Sequence, residues 1–251
     1  MKFWKLFKHA LKLTFNNWFA AIKITAPFIA IALSLKALTI GYAGFVTVEN
    51  DAILRAMLIV SELYGFVSYL WIAVAWHRFI LIDEYPRLMP RFHGARIVSY
   101  FLKGLLIGLL VIMVAIPIVL FNLIARDIRF LDLFFILLSF VATFGLITMA
   151  TRLSTLLPSA ALGTSMTIRE AWDATRAENL ACLGVAVMLY VIAVPVLVTT
   201  YLLRDGPIVL SILWETISSA FLMMISLSVI TTLYGHYIEK RPIGSGTQTV
   251  P

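Results

Sequence analysis

Six long apolar stretches constrain this sequence more than any other feature. Crossing the hydrocarbon of a bilayer as a helix takes roughly 20 apolar residues. Short alternating strands, the pattern of a membrane β-barrel, do not occur in the sequence. The stretches that are long enough cover about residues 19–45, 53–81, 97–124, 131–152, 179–203 and 208–237. The sequence therefore predicts an all-α, polytopic membrane protein.

The composition supports the same class. Of the 251 residues, 61% are hydrophobic and only 13% are charged. A soluble domain is about 45–50% apolar and about 25% charged, so one soluble core of this size could not bury so much apolar surface. The single cysteine, Cys182, excludes a disulfide within the chain.

The connections divide the six stretches into three predicted hairpins. Short connections at 47–51, 126–130 and 204–207 lie on one side of the membrane. Longer ones at about 82–96 and 153–178 lie on the other side, together with both ends of the chain. We expect a single six-helix domain over residues 1–242. The small, polar segment 243–251 is predicted to be disordered.

The distribution of lysine and arginine predicts the orientation. Of the 20 basic residues, fifteen lie on the side of the chain ends, and the other side carries Lys36, Arg55, Arg126, Arg129 and Arg204. Because cytoplasmic loops of membrane proteins are rich in lysine and arginine, we expect both ends to be cytoplasmic, in a bacterial inner membrane. This placement accounts for the net charge of +7 without nucleic acid as a partner.

The first seventeen residues predict a basic amphipathic helix in the headgroup plane. One face carries Lys2, Lys5, Lys8 and Lys12, and the opposite face carries Phe3, Trp4, Phe7, Leu11 and Trp18. The lysines are candidate contacts for anionic lipid, and the alternative is a helix that only anchors the topology. A basic start before an apolar run is also typical of signal peptides. Here the apolar run is too long and no A-x-A site follows, which predicts a retained segment.

A second surface helix is predicted at residues 166–178, which overlap the stretch "TIREAWDATRAENL". Thr167 and Glu170 have the spacing of a capping box. Together with the preceding "RLSTLLPSAALG", this segment resembles bacterial six-helix membrane proteins related to the membrane domain of some glycerophosphodiester phosphodiesterases. The resemblance covers residues 152–179 and implies a six-helix membrane fold. Because the chain has no phosphodiesterase domain, the resemblance implies no catalytic residue.

Three ionisable residues fall at similar predicted depths inside the membrane. Lys36, Glu62 and Glu215 each lie several residues into an apolar stretch from the same side. Isolated charges are costly there and usually pair inside the bundle, so we expect a buried Lys36–Glu62–Glu215 cluster. Such a cluster suits a proton-coupled carrier, because like charges raise a carboxyl pKa. The alternatives are a structural ion pair, or side chains that extend to the headgroups.

Two pairs of small residues have the spacing of helix-packing faces. They are Ser61 with Gly65, and Gly104 with Gly108. Small residues four apart let helices approach closely, either within the chain or at a partner interface. The first pair flanks Glu62 and favours a Glu62 side chain that faces protein.

Catalytic and metal-binding motifs do not occur in the sequence. There is no H-E-x-x-H, P-loop or dinucleotide fingerprint, and no G-x-S-x-G. His77 and His236 lie among aromatic residues at predicted span ends, where interfacial belts form. We therefore expect no cofactor, no metal and no enzymatic activity.

Two functions remain. The first is a non-enzymatic scaffold or lipid- or complex-associated component. Its partners would be membrane lipids, other membrane proteins or a second copy of the chain. The second is a small proton-coupled carrier of a solute or lipid.

Overall fold

The computed structural model of this chain describes residues 1–46, 51–87, 89–125 and 132–243. Within these ranges the regular elements are helices, with no β-strand. In chain order they are α1 (Lys2–Asn16), α2 (Trp18–Ala43), α3 (Ala52–Ile82), α4 (Gly94–Ala125), α5 (Asp132–Leu153), α6 (Leu156–Leu162), α7 (Ile168–Ala174), α8 (Asn179–Leu202) and α9 (Ile208–Tyr237).

The predicted fold class is confirmed. Across the described ranges, six helical segments are long and apolar enough to cross a membrane: α2, α3, most of α4, α5 continued into α6, α8 and α9. The connection 126–130 and almost all of the predicted tail, 243–251, lie outside the described residues.

Polar residues fix the ends of several helices. The Asp51 side chain accepts a hydrogen bond from the Leu54 N–H at the start of α3. Thr167 and Glu170 form the predicted capping box at the start of α7. Gly163 follows α6 with φ +84°, a backbone conformation that glycine adopts without strain.

Most buried side chains lie in one half of the bundle, which we call the terminal half because it contains both described chain ends. Trp76 and Leu227 lie in its core at 0% exposure. The short helix α6 lies at the centre and packs against α3, α4 and α9. In the opposite, distal half the described buried side chains are few: Thr39, Leu54, Thr216 and Ser218.

Two hydrogen bonds place the terminal half at a membrane surface. The Trp71 indole N–H donates to the Arg91 carbonyl, and the Lys103 ammonium donates to the Met166 carbonyl. Both acceptors lie in connecting segments, which do not occur exposed to lipid within the hydrocarbon. The 31 residues of α3 span about 46 Å against a hydrocarbon thickness of roughly 30 Å. At least one end of α3 therefore extends past the hydrocarbon.

Candidate functional sites

Helix α1 packs against the bundle. Leu6, Phe7 and Ala10 are at most 1% exposed and form an apolar cluster with residues of α8 and α9. The Thr14 hydroxyl donates to the Ser228 hydroxyl at 2.7 Å. An added Cβ at Gly184 would lie 2.5 Å from the Phe3 ring. α1 is therefore a packed part of the fold, closely apposed to α8.

The apolar face of α1 differs from the prediction. Leu6, Ala10 and Leu13 are buried, whereas Trp4 is 44% exposed and Trp18 is 60% exposed. Leu6, Ala10, Leu13 and Thr14 follow helical spacing, so the sequence contained the signal. Of the predicted apolar face, Phe7 is buried, and the prediction is wrong at Trp4 and Trp18.

The lysines of α1 fall into two groups. Lys5, Lys8 and Lys12 are exposed on the face opposite the buried one. Lys2 forms an ion pair with Glu178 and its ammonium lies 5.1 Å from the centre of the Tyr237 ring. Three of the four candidate lipid contacts thus project outward from α1, and the fourth has a protein partner.

Arg152 organises the segment that carries the family resemblance. Its side chain is almost wholly buried, at 3% exposure. Its guanidinium donates to the Thr175 hydroxyl at 3.0 Å, to the Asn179 side-chain oxygen at 2.9 Å and to the Trp172 carbonyl at 2.6 Å. The same group lies 3.6 Å from the centre of the Trp172 ring. Every acceptor is neutral, so the charge is stabilised by oriented dipoles and the aromatic face.

Arg152 joins three helices. It lies at the end of α5, its acceptors Trp172 and Thr175 lie at the end of α7, and Asn179 begins α8. A cation at a helix C-terminus is favoured by the helix dipole. The arrangement fixes the connection between α5 and α8, and it gives Arg152 a structural role that the sequence did not reveal.

The position predicted for His77 was wrong. The ring is fully buried at 0% exposure instead of lying in an interfacial belt. Its Nδ1 lies 2.8 Å from the Thr231 hydroxyl and its Nε2 lies 3.3 Å from the Tyr100 hydroxyl. Because Thr231 donates to the Leu227 carbonyl, it accepts from Nδ1–H, and Nε2 accepts from Tyr100. This pairing allows a neutral histidine to be buried without loss of hydrogen bonds.

The predicted buried cluster of Lys36, Glu62 and Glu215 needs correction. Lys36 and Glu215 form an ion pair at 3.1 Å, but their side chains are 36% and 56% exposed. Glu62 is also exposed. Within the described part of the chain it forms no ion pair with Lys36. The side of α3 toward α2 carries Tyr64, whose hydroxyl donates to the Phe28 carbonyl, and Glu62, two residues earlier, lies about 160° around the helix.

Glu62 lies on the same face of α3 as residues that are buried in the terminal half. Residues three, four and seven apart share one helix face, and this stripe continues through Tyr69, Ala73 and Trp76. Ala73 and Trp76 are completely buried in the terminal half, whereas Tyr69 is 40% exposed. Glu62 lies about 14 Å beyond Trp71 along the axis. Its side chain is therefore exposed where the buried part of the stripe has ended.

The predicted packing glycines differ in their surroundings. An added Cβ at Gly104 would lie 3.8 Å from Leu157, an ordinary contact with α6, whereas at Gly65 or Gly108 it would meet no atom within 4 Å. Ser61 is half-buried, and its hydroxyl donates to the Met57 carbonyl of its own helix. Close packing at Gly65 and Gly108 is thus not formed within the described chain, and a partner interface there stays a prediction.

Glu84 binds an arginine and a histidine in the connection between α3 and α4. Arg78 donates to one carboxylate oxygen at 2.6 Å, and the His93 ring lies 2.7 Å from the other. Burial acts to raise the pKa of Glu84, but the hydrogen bonds and charges of His93 and Arg78 together hold that pKa below its ordinary value. This carboxylate therefore stabilises the connection above the ordinary glutamate pKa, and the contribution is lost as the pH falls through the lowered pKa.

The fold and these sites define a multi-pass integral membrane protein. No family model matches the chain, and neither a curated protein nor a solved structure is significantly similar to it. The relation to glycerophosphodiester phosphodiesterase membrane domains therefore stays a prediction. Among the described residues, no group of three or more His, Cys, Asp or Glu side chains is placed to hold a metal ion.

Proposed function

We propose that this protein is a non-enzymatic component of the cytoplasmic membrane that associates with anionic lipid through α1, with both chain ends in the cytoplasm. One observation carries the proposal: the buried face of α1 is held by α8 and α9, while Lys5, Lys8 and Lys12 are exposed on the opposite face. An arrangement of this kind is suited to a lipid-associated scaffold, because the fold presents the charges in one fixed array.

The expected strength of this association follows from surface electrostatics. Each lysine near an anionic membrane surface contributes about 1 kcal/mol. Three of them contribute roughly 3 kcal/mol, or about a hundredfold preference for anionic over zwitterionic lipid. Since α1 is already ordered against the bundle, binding pays no cost for folding the helix.

Removing the three exposed lysine charges tests the proposal. We expect Lys5→Gln combined with Lys8→Gln and Lys12→Gln to abolish most enrichment of anionic lipid around the protein. Lipids retained after purification from mixed phosphatidylglycerol and phosphatidylcholine membranes would be quantified by mass spectrometry. Glutamine keeps the helix propensity of lysine, so the fold of α1 should persist.

A matched control removes a cation from the other end of the bundle. Arg204 is exposed just after α8, and Arg204→Gln should leave the lipid ratio unchanged. An equal lipid ratio in wild type and the triple variant would refute lipid association through α1.

A second candidate function is the proton-coupled carrier, favoured by the exposed carboxyl group of Glu62 within the membrane-spanning helix α3. Such a group can take up and release protons wherever water reaches it. Ionisable groups at this depth commonly mark ion pathways. The Lys36–Glu215 pair lies at a similar depth, because Glu62 and Glu215 are each about 22–24 Å along their helices from the contact between His77 and Thr231.

Proton flux distinguishes this candidate from the first. In liposomes with an entrapped pH dye and a potassium diffusion potential, we expect the wild type to carry protons and Glu62→Gln to reduce the flux at least tenfold. Glu215→Gln should leave Glu62 and its access intact and so retain flux. Identical flux in wild-type, Glu62→Gln and protein-free liposomes would exclude the carrier.

A further inference from the structure

A cavity of about 610 Å³ opens at the surface of the terminal half, where α1, the connection between α7 and α8, and the end of α9 meet. Ligand pockets in proteins commonly have volumes of about 300–1,000 Å³, so the space is sufficient for a small polar group. Its walls include Lys2, Asp173, Arg176, Glu178, Tyr237 and Lys240.

The acids of this cavity already have cationic partners. Glu178 pairs with Lys2, and Asp173 lies 3.7 Å from the guanidinium of Arg169. Arg176 and Lys240 form no ion pair within the described part of the chain. The charge left without a counterion in the cavity wall is therefore positive, and it favours an anion.

Tyr237 belongs to the paired side of the cavity. The residue is only 4% exposed, and its hydroxyl, which makes no hydrogen bond of ordinary geometry, lies close enough to the Glu178 carboxylate to interact with it weakly. The Lys2 ammonium, which pairs with the same carboxylate, lies 5.1 Å from the centre of the Tyr237 ring. Lys2, Glu178 and Tyr237 thus contact one another, and Arg176 and Lys240 are left to contact a ligand.

We propose that this cavity binds a phosphate-bearing anion. Arg176 and Lys240 supply the charge and donate hydrogen bonds to the phosphate oxygens. Arginine and lysine side chains are preferred phosphate ligands. The position at a membrane surface allows two sources of the same chemistry, a phospholipid headgroup or a soluble phosphate. The site is separate from Lys5, Lys8 and Lys12, so it does not depend on the lipid association proposed for α1.

Binding measurements in detergent test this site. The probes are dioctanoyl phosphatidylglycerol, inorganic phosphate and, as a phosphate-free control, dioctanoyl glycerol. We expect saturable binding of at least one phosphate probe and none of dioctanoyl glycerol. Loss of one charge-assisted contact should weaken binding about tenfold, in Arg176→Gln and in Lys240→Gly.

The Lys240 variant separates binding from folding. Lys240 has φ +59°, a strained conformation for a residue with a Cβ. Glycine relieves this strain, so Lys240→Gly should be at least as stable as wild type while binding more weakly. Arg87→Gln removes an exposed cation that does not line the cavity and should bind normally.

The outcomes distinguish a lipid headgroup from a soluble phosphate, and they also test whether the cavity binds phosphate at all. Binding of the lipid alone, weakened in both variants, supports a headgroup site. Binding of inorganic phosphate, weakened in both, supports a soluble ligand. Absence of binding by both phosphate probes, or binding unchanged in Arg176→Gln and Lys240→Gly, overturns the proposal. The triple variant of α1 should bind normally, so this site and the lipid association can fail separately.

Discussion

Arg152→Lys is expected to lower the free energy of unfolding by about 3 kcal/mol. The guanidinium donates to Thr175, Asn179 and the Trp172 carbonyl at once, and a lysine ammonium cannot reproduce this planar array. A hydrogen bond to a charged group is worth about 1.5–3 kcal/mol, and at least one buried acceptor would lose its donor. A denaturant titration in mixed micelles measures the change.

Arg169→Lys is the matched control for this prediction. Arg169 carries the same side chain on α7, but that side chain is 92% exposed, and its carboxylate partner, Asp173, lies 3.7 Å away. An exposed pair of this kind contributes little to stability, so we expect a change of at most about 0.5 kcal/mol. Equal stability of Arg152→Lys and Arg169→Lys would show that the planar hydrogen-bond array does not hold α7 in place.

Gly184→Ala is expected to displace α1 from the bundle and to cost about 2 kcal/mol, within the usual range for overpacking. The added methyl would lie 2.5 Å from the Phe3 ring and 2.8 Å from the Phe3 Cβ. The Cβ is attached to the backbone, so a rotation of the Phe3 ring cannot relieve this clash and α1 must move. Thermal unfolding in detergent reports the loss of stability.

Gly145→Ala provides the comparison on α5. An added Cβ there meets no atom within 4 Å. Alanine is the better helix former by up to about 1 kcal/mol, so this variant should be as stable as wild type or slightly more stable. A Gly184→Ala protein that unfolds at the same temperature as Gly145→Ala would contradict the close approach of α1 to α8.

Local patterns were sufficient to predict the membrane spans and one helix cap. The apolar stretches match the observed helices because their length alone requires them to be helical in a bilayer. The capping box of Thr167 and Glu170 was predictable because both partners lie within one helical turn. These features depend on neighbours in the sequence.

Features that depend on contacts between distant elements were not predictable. His77 is adjacent in sequence to aromatic residues typical of an interface, but its partners Thr231 and Tyr100 come from α9 and α4. Glu62 is on a stripe whose buried residues lie toward one end of α3, and nothing local shows that the side chains toward the other end are exposed. The packing of α1 depends on the absence of a side chain at Gly184, which lets Phe3 approach α8. Gly184 is far from α1 in the sequence.

The proposed lipid association depends on the packing of α1 against α9, which turns the lysine face of α1 outward. A disulfide cross-link tests this packing most directly, because the Thr14 and Ser228 side-chain oxygens are 2.7 Å apart. In a Cys182→Ala background, Thr14→Cys with Ser228→Cys should form an intramolecular disulfide on mild oxidation in membranes. Lys12→Cys with Ser228→Cys should not, because Lys12 is exposed on the other face of α1. Equal cross-linking of both pairs, or none in the first, would contradict the packing of α1.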